Sequence, residues 1–336
     1  MMPSSAAATM RGSALPLSSG RRIPLKFRHL SISAVGSVEI RLLLCCCVAL
    51  AFLLLAFGYR HRPSHPPSLP PPGKGYTILI NTWKRNDLLK QSVVHYASCS
   101  GVNSIHVVWS EPDPPSDLLH DFLRQATRMN SKDGKYIEVT FDLNQEDSLN
   151  NRFKEIKGLR TDAIFSIDDD VIFSCSAVEL AFSVWQSAPM TMVGFVPRMH
   201  WLDKSRGSVE QYRYGGWWSV WWMGTYSMVL SKAAFFHKKY LDLYTNHMPV
   251  AIRDYVTKNR NCEDIAMSLL VANVTGAPPI WVKGRVFEIG STGISNLGGH
   301  SQRRSQCLNV FAAIYDHMPL VATNTKVIDS RHSWFW

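Results

Sequence analysis

Apolar residues fall into three regimes along this chain. Residues 42–58 form one apolar run with no charged residue. From residue 76 to about 196, short apolar runs alternate with stretches of helical spacing, and beyond that the pattern is mixed. The runs 76–81, 105–110, 137–142, 163–167 and 191–196 are short, rich in β-formers and bounded by polar residues, so each predicts a strand. Residues 88–97, headed by Asn86-Asp87 as a cap, predict a helix, as do 150–157 and 178–186. Strands alternating with helices predict an α/β fold with a mostly parallel, Rossmann-like sheet. In the second half, 226–230 predicts a strand, and 233–243, 250–258 and 264–273 predict helices. No internal repeat is present.

The run 42–58 has seventeen residues, the short limit for a membrane-spanning helix. Six basic residues precede it and two follow, so the positive-inside tendency puts the N-terminus in the cytosol. A cleaved signal peptide would end its apolar part at small residues, whereas Phe57-Gly58 here leads into Tyr59-Arg60. After the run, six prolines in the eleven residues 63–73 read as a semi-rigid spacer. The predicted plan is a cytosolic basic tail (1–41), a transmembrane signal anchor (42–58), a proline-rich stem (59–75) and a lumenal body (76–336). That is the plan of a single-pass type II membrane protein.

Charge supports this plan and removes another. The formal charge is +10, but residues 1–62 hold eight Lys/Arg and one acid. The remainder carries 28 basic and 25 acidic residues, so the excess is a flank, and no nucleic-acid partner is expected. Cys45, Cys46 and Cys47 lie in the apolar run. Cys99, Cys175, Cys262 and Cys307 lie in the body and permit up to two disulfides, whose pairing the sequence leaves open. Asn273-Val274-Thr275 is a glycosylation sequon.

Candidate chemistry gathers at four places. Asp168, Asp169 and Asp170 follow the strand 163–167, where ligands of open α/β sheets bind. Three adjacent like charges are eased by a hard divalent cation holding a diphosphate, although a solvated acidic turn has the same composition. Asn81-Thr82-Trp83-Lys84-Arg85 leaves the first strand, where Arg85 can meet a phosphate. Asn150, Asn151 and Arg152 open the helix before the triplet, and the two Asn can serve as its caps. Glu263 and Asp264 head an apolar helix, whose dipole favours acids there, and a carboxylate facing a sugar would be held in the same place. Separately, Gly215-Gly216 precede four Trp in six residues, 217–222. This reads either as a core plug or as a wall facing the acceptor or a membrane.

In this order the segments resemble the exostosin-type glycosyltransferases, family 64, from residue 76 to about 324. Ile167-Asp168-Asp169-Asp170, Val193-Gly194-Phe195-Val196-Pro197-Arg198 and Asn261-Cys262-Glu263-Asp264-Ile265-Ala266-Met267 carry the likeness most specifically. The short tail and compact body look most like the plant branch, the glycosylinositol phosphorylceramide mannosyltransferases. The resemblance implies a GT-A fold, Mn2+, a nucleotide-sugar donor and retention at the anomeric carbon. It implies Asp170, with Asp168, as metal ligands, and Asp168 and Asp169 against the donor's ribose and sugar. Asn81, Arg85, Ser110, Asn151, Arg152 and Arg304 would complete the donor site. Asp264 would be catalytic, with Glu263 beside it, and Cys262 would pair with Cys307. Ser110 and Asp147 depart from the relatives that use UDP-sugars, which is compatible with GDP. The expected activity is transfer of mannose from GDP-mannose to a glycolipid acceptor, the head group of glycosyl inositol phosphorylceramide, at the Golgi membrane. The alternatives are a UDP-N-acetylhexosamine transferase of the same family and a non-catalytic lumenal lectin or scaffold.

Overall fold

The computed structural model describes residues 34–60, 75–132, 134–204, 211–290 and 299–330. The start of the predicted basic tail and most of the proline stem lie outside the described residues. The chain divides into two units, 1–68 and 69–336.

In the first unit α1 spans Ala34–Arg60. Its side chains are described over 40–55 and are exposed, apolar ones included. Among the described residues no helix is long and apolar enough to cross a membrane. The predicted anchor 42–58 lies wholly within α1 and is helical, and its identity as a membrane span stays an expectation.

Among the described residues, the second unit holds all the strands, both hydrophobic clusters and both disulfides, so it carries its own core. Its first half comprises β1 (Tyr76–Asn81), α2 (Asn86–Ala97), β2 (Val102–Trp109), α3 (Asp117–Asn130), β3 (Glu138–Leu143), a 3-10 turn (Leu149–Phe153) and β4 (Ala163–Asp168). Then come β5 (Val171–Ile172), α4 (Cys175–Ser187), β6 (Val193–Gly194), β7 (Pro197–Asp203), β8 (Gln211–Gly215), α5 (Trp217–Met223) and β9 (Met228–Val229). They are followed by β10 (Ala233–His237), α6 (Lys239–Asp242), a π turn (Leu243–His247), α7 (Val250–Asn259) and α8 (Glu263–Thr275). The last elements are β11 (Ile280–Val282), β12 (Phe287–Glu288), α9 (His300–Ile314) and β13 (Lys326–Val327).

Eight strands form one sheet in the order β13-β11-β6-β10-β4-β1-β2-β3. All pairings in it are parallel except those of β10. Alternation along the strands divides the core. Ile78 and Ile80 pack with Leu89, Leu123 and Phe182 from α2, α3 and α4. Leu79, Ile164 and Phe236 pack on the opposite face with Leu241, Ile252, Leu269 and Phe311 from α6–α9. This makes a three-layer α/β sandwich. Chain order reverses at β1, which has β2 on one side and β4 on the other. The crevice at the ends of β1 and β4 is the position where open sheets bind ligands.

Several expectations need correction. Residues 233–243, expected as one helix, are strand β10 followed by α6. Ala233-Ala234-Phe235-Phe236 is buried between β4 and β6, and a run covered on both faces carries no period to separate strand from helix. The expected helix 150–157 is only the 3-10 turn. Asn150 does not cap it. Its amide reaches across to the Arg253 carbonyl at 2.9 Å, while Ser148 accepts from the Asn150 N–H. Arg85 is the first flanking residue of α2, with no side-chain cap. Helices α3, α5 and α9 and the β7–β8 hairpin were not expected.

Candidate active site

Asn81 and Asp168 are register partners at the ends of β1 and β4, so the parallel ladder itself brings both predicted segments together. The Asp169 N–H donates to the Asn81 carbonyl at 3.3 Å. The strand ends at Asp168, and the three carboxylates divide between two arginines. Asp169 is fully buried and accepts from the Thr82 hydroxyl at 2.6 Å. Arg85 forks across two of the acids, 2.5 Å from Asp169 and 2.8 Å from Asp170. Asp168 pairs with buried Arg152, which also donates to the Ser231 hydroxyl at 3.4 Å. Burial pushes the Asp169 carboxyl up to about 6, against the pull of Thr82 and Arg85. Burial raises Asp168 as well, despite Arg152.

Asp170 is partly open, with its side chain 19% exposed, and Asp168 is similar at 23%. Gly290 lies against it, because a Cβ there would come within 2.8 Å of the Asp170 Cβ. The antiparallel pair β5–β12 delivers Gly290, and the Ile289 N–H donates to the Asp170 carbonyl at 2.8 Å.

The second cluster stands at the head of α8. Asp264 is 4% exposed, and its oxygens accept from the Ile265 N–H and from Arg304, each at 2.8 Å. Arg304 lies on α9, donates to the Tyr214 hydroxyl at 3.1 Å and packs its guanidinium over that ring. Burial works against the Asp264 charge, but Arg304 and the Ile265 N–H outweigh it and hold the carboxyl below its ordinary value. Glu263, equally enclosed, is pushed up to about 7, first by burial and then by Asp264. Arg152 pairs with Asp168 and also feels the charges of Glu263 and Asp264, so the two clusters lie within electrostatic reach of one another.

The backbone is strained where these groups gather. Of four non-glycine residues with positive φ among the described residues, Lys84 flanks the first cluster and Arg260 and Cys262 flank the second. Cys262 is bonded to Cys307, which joins the Asp264 turn to the Arg304 helix as the resemblance implies. The other pair is Cys99–Cys175.

The remaining predicted residues are placed as follows. Asn151 donates to the Ser110 hydroxyl at 2.9 Å, and a cavity of about 400 Å³ opens beside it, lined also by Asp142, Asn144 and Lys154. Asp147 is turned away into an ion pair with Arg260 at 2.7 Å. Asn273 is exposed in the last turn of α8. Thr82, Tyr214, Ser231 and Gly290 carried no role in the sequence reading. Tyr214 lies fifty residues from Asp264, and only the β8–α9 packing joins them.

With this geometry in place, comparison with known proteins is decisive. The profile described as "Glycosyl transferase family 64 domain" matches residues 76–334. The chain belongs to this family. Its similarity to "Glycosylinositol phosphorylceramide mannosyl transferase 1" of Arabidopsis thaliana is 65% identity over 263 residues, 78% of this chain and 79% of that one. Human "Exostosin-2" is 32% identical over 82% of this chain, and the match takes in 36% of the exostosin's own length. Among solved structures, a mannosyltransferase of Pyrobaculum calidifontis in complex with GDP-Man and Mn2+ aligns over 83% of this chain and 75% of its own, at TM-score 0.43 and 13% identity. The family 64 chain is thus a glycosyltransferase with a mixed α/β fold and a predominantly parallel sheet.

Proposed function

We propose that this chain is a metal-dependent, retaining mannosyltransferase that moves mannose from GDP-mannose to the head group of a glycosyl inositol phosphorylceramide. One observation carries the reading beyond family membership. Arg152 pairs with the strand-end triplet and feels the charge of the Glu263–Asp264 pair, which supports one site for the diphosphate and the reacting sugar carbon. The 65% identity to the Arabidopsis mannosyl transferase supports the choice of donor and acceptor.

The residues fit a metal. Asp168, Asp169, Asp170, Glu263 and Asp264 outnumber Arg85, Arg152 and Arg304, and every donor is an oxygen, which suits Mn2+ or Mg2+. The three-residue metal-ligating group found among the described residues is His95, Cys99 and Cys175, whose two cysteines are already disulfide-bonded. Asp170, with Asp168, would hold Mn2+, and the ion when bound would offset charge on the leaving diphosphate.

The chain's own groups divide the remaining work. Arg85 and Arg152 supply fixed positive charge at the diphosphate, where charge develops. Ser110, Asn151 and the cavity beside them receive the nucleoside. Asp264, kept ionised by Arg304, faces positive charge at the anomeric carbon or orients the acceptor hydroxyl. Either role is consistent with retention, by a covalent adduct or by front-face attack. The anchor at 42–58, a lumenal body in the Golgi and glycosylation at Asn273 belong to the same proposal.

A panel of nucleotide sugars tests the donor. GDP-mannose hydrolysis that requires added Mn2+ is expected, and turnover of UDP-N-acetylhexosamine in its place would overturn the donor assignment. Mass spectrometry of glycolipids from cells lacking the chain tests the acceptor. Unchanged inositol phosphorylceramides would refute it.

A further inference from the structure

The aromatic run 217–222 is neither a loop nor a core plug. It is helix α5, closed by Gly216 at its start and by Gly224, with φ +67°, at its end. Val220 alone of the helix is buried, in the cluster shared with Met199 and Tyr214. Gly215 sets the helix tight on β7, since a Cβ there would lie 2.6 Å from the Met199 side chain and 2.8 Å from Trp201. The four tryptophans point outward. Trp217 is 48% exposed, Trp218 76%, Trp221 62% and Trp222 81%.

Their spacing is that of one face. Trp217 and Trp221 are four residues apart, as are Trp218 and Trp222, so the pairs stack in adjacent rows on the side away from Val220. An ordinary surface helix buries its apolar face; here the apolar face is the solvent side. From Tyr214 to Ser231 there is no charged residue to hydrate that surface. A cation stands at its margin: the Lys326 ammonium lies 5.4 Å from the Trp281 ring, which meets Trp217 edge-on at 5.8 Å. Tryptophans rimmed by a basic side chain match the chemistry of a bilayer interface, where the indole sits among head groups and the cation meets phosphate.

We propose that α5 docks the body on a phospholipid surface, with its tryptophans at head-group depth. The ridge is continuous with the catalytic residues. Tyr214, three residues before α5, holds Arg304, and Arg304 holds Asp264. Docking through α5 would therefore present the Asp264 cluster to head groups still seated in the membrane. The choice of a lipid surface is in keeping with the glycolipid acceptor proposed above, but the binding test needs neither donor nor acceptor. Its failure would leave the donor assignment standing.

The test uses the 69–336 unit, which carries its own core and disulfides. Vesicles of phosphatidylcholine, with and without phosphatidylinositol, are floated with the wild-type unit and with Trp218→Ser/Trp222→Ser. Both changed side chains are more than three-quarters exposed, so the variant should melt with the wild type. Wild type is expected to float with vesicles, blue-shift its tryptophan emission and be quenched by brominated lipid. The variant is expected to lose about tenfold or more in partitioning, since two large apolar side chains leave the interface. Equal partitioning of the two proteins would overturn the proposal. So would a wild-type unit that ignores vesicles and instead forms dimers that the variant abolishes.

Discussion

Replacing Glu263 by Gln keeps the shape of the side chain and removes a buried charge. Glu263 is 9% exposed, and its carboxyl is raised from 4.5 to about 7 by burial and by Asp264, with Arg152 and Arg304 opposing. A folded-state value above the unfolded one means that the native chain binds the proton more tightly. The stability this confers is complete below pH 4.5 and is lost as pH rises through 7. A difference of about 2.5 units corresponds to about 3 kcal/mol at full ionisation. Wild type and Glu263→Gln should therefore unfold alike near pH 4.5 and diverge as pH rises. At pH 8 the variant should be more stable by about 3 kcal/mol, which for a body of this size is a rise in melting temperature of about 6–12 °C. Thermal melts of both proteins at half-unit steps of pH measure this directly. Parallel curves from pH 4.5 to 8 would refute the reasoning, and a variant less stable at pH 8 would mean that the two arginines over-compensate the charge. Transferase activity is expected to fall in the stabilised variant, because a carboxylate that strains the fold is retained for what it does to substrate.

Arg304→Met leaves Asp264 buried with one backbone N–H as partner. It should cost about 3–5 kcal/mol at neutral pH, measured by urea unfolding, and recover partly in acid as Asp264 takes a proton. A variant within 1 kcal/mol of wild type at pH 7 would show the pair to be dispensable. Asp170→Asn should retain the fold, since its carboxylate is partly exposed and meets only Arg85 among the described contacts, yet lose Mn2+-stimulated donor hydrolysis. Undiminished metal stimulation would remove Asp170 from the ligand set. The double change Cys262→Ala/Cys307→Ala opens a 45-residue loop and should cost about 4 kcal/mol by the chain-entropy relation, read as a lower denaturant midpoint.

Sequence pattern was most informative where burial is one-sided or the run is bounded. Strand β1 has the predicted limits, and α7 and α8 differ from theirs by no more than two residues at the termini. It failed at Ala233–His237, where burial on both faces erases periodicity, and at α9, whose mean pattern is polar although Arg304, Leu308 and Phe311 are enclosed. The acids and arginines of the site were legible because charges beside apolar runs demand explanation. Their partners were not. Thr82 is an ordinary polar residue until Asp169 is seen to rely on it, and Tyr214 reaches the site only through the β8–α9 packing. The Trp ridge was visible as composition, but its outward direction depends on Val220 being the residue that packs.

The Cys262–Cys307 bond has a consequence for timing. Cys262 stands two residues before Asp264, and Cys307 three after Arg304. The bond thus holds the carboxylate and its guanidinium on one short tether. The sheet hydrogen bonds owe nothing to it, so a newly made chain in a reducing space can build its strands while these two arms remain separate. The complete site would then require oxidation as well as folding. A chain kept reduced would keep its sheet and lose the tether between Asp264 and Arg304.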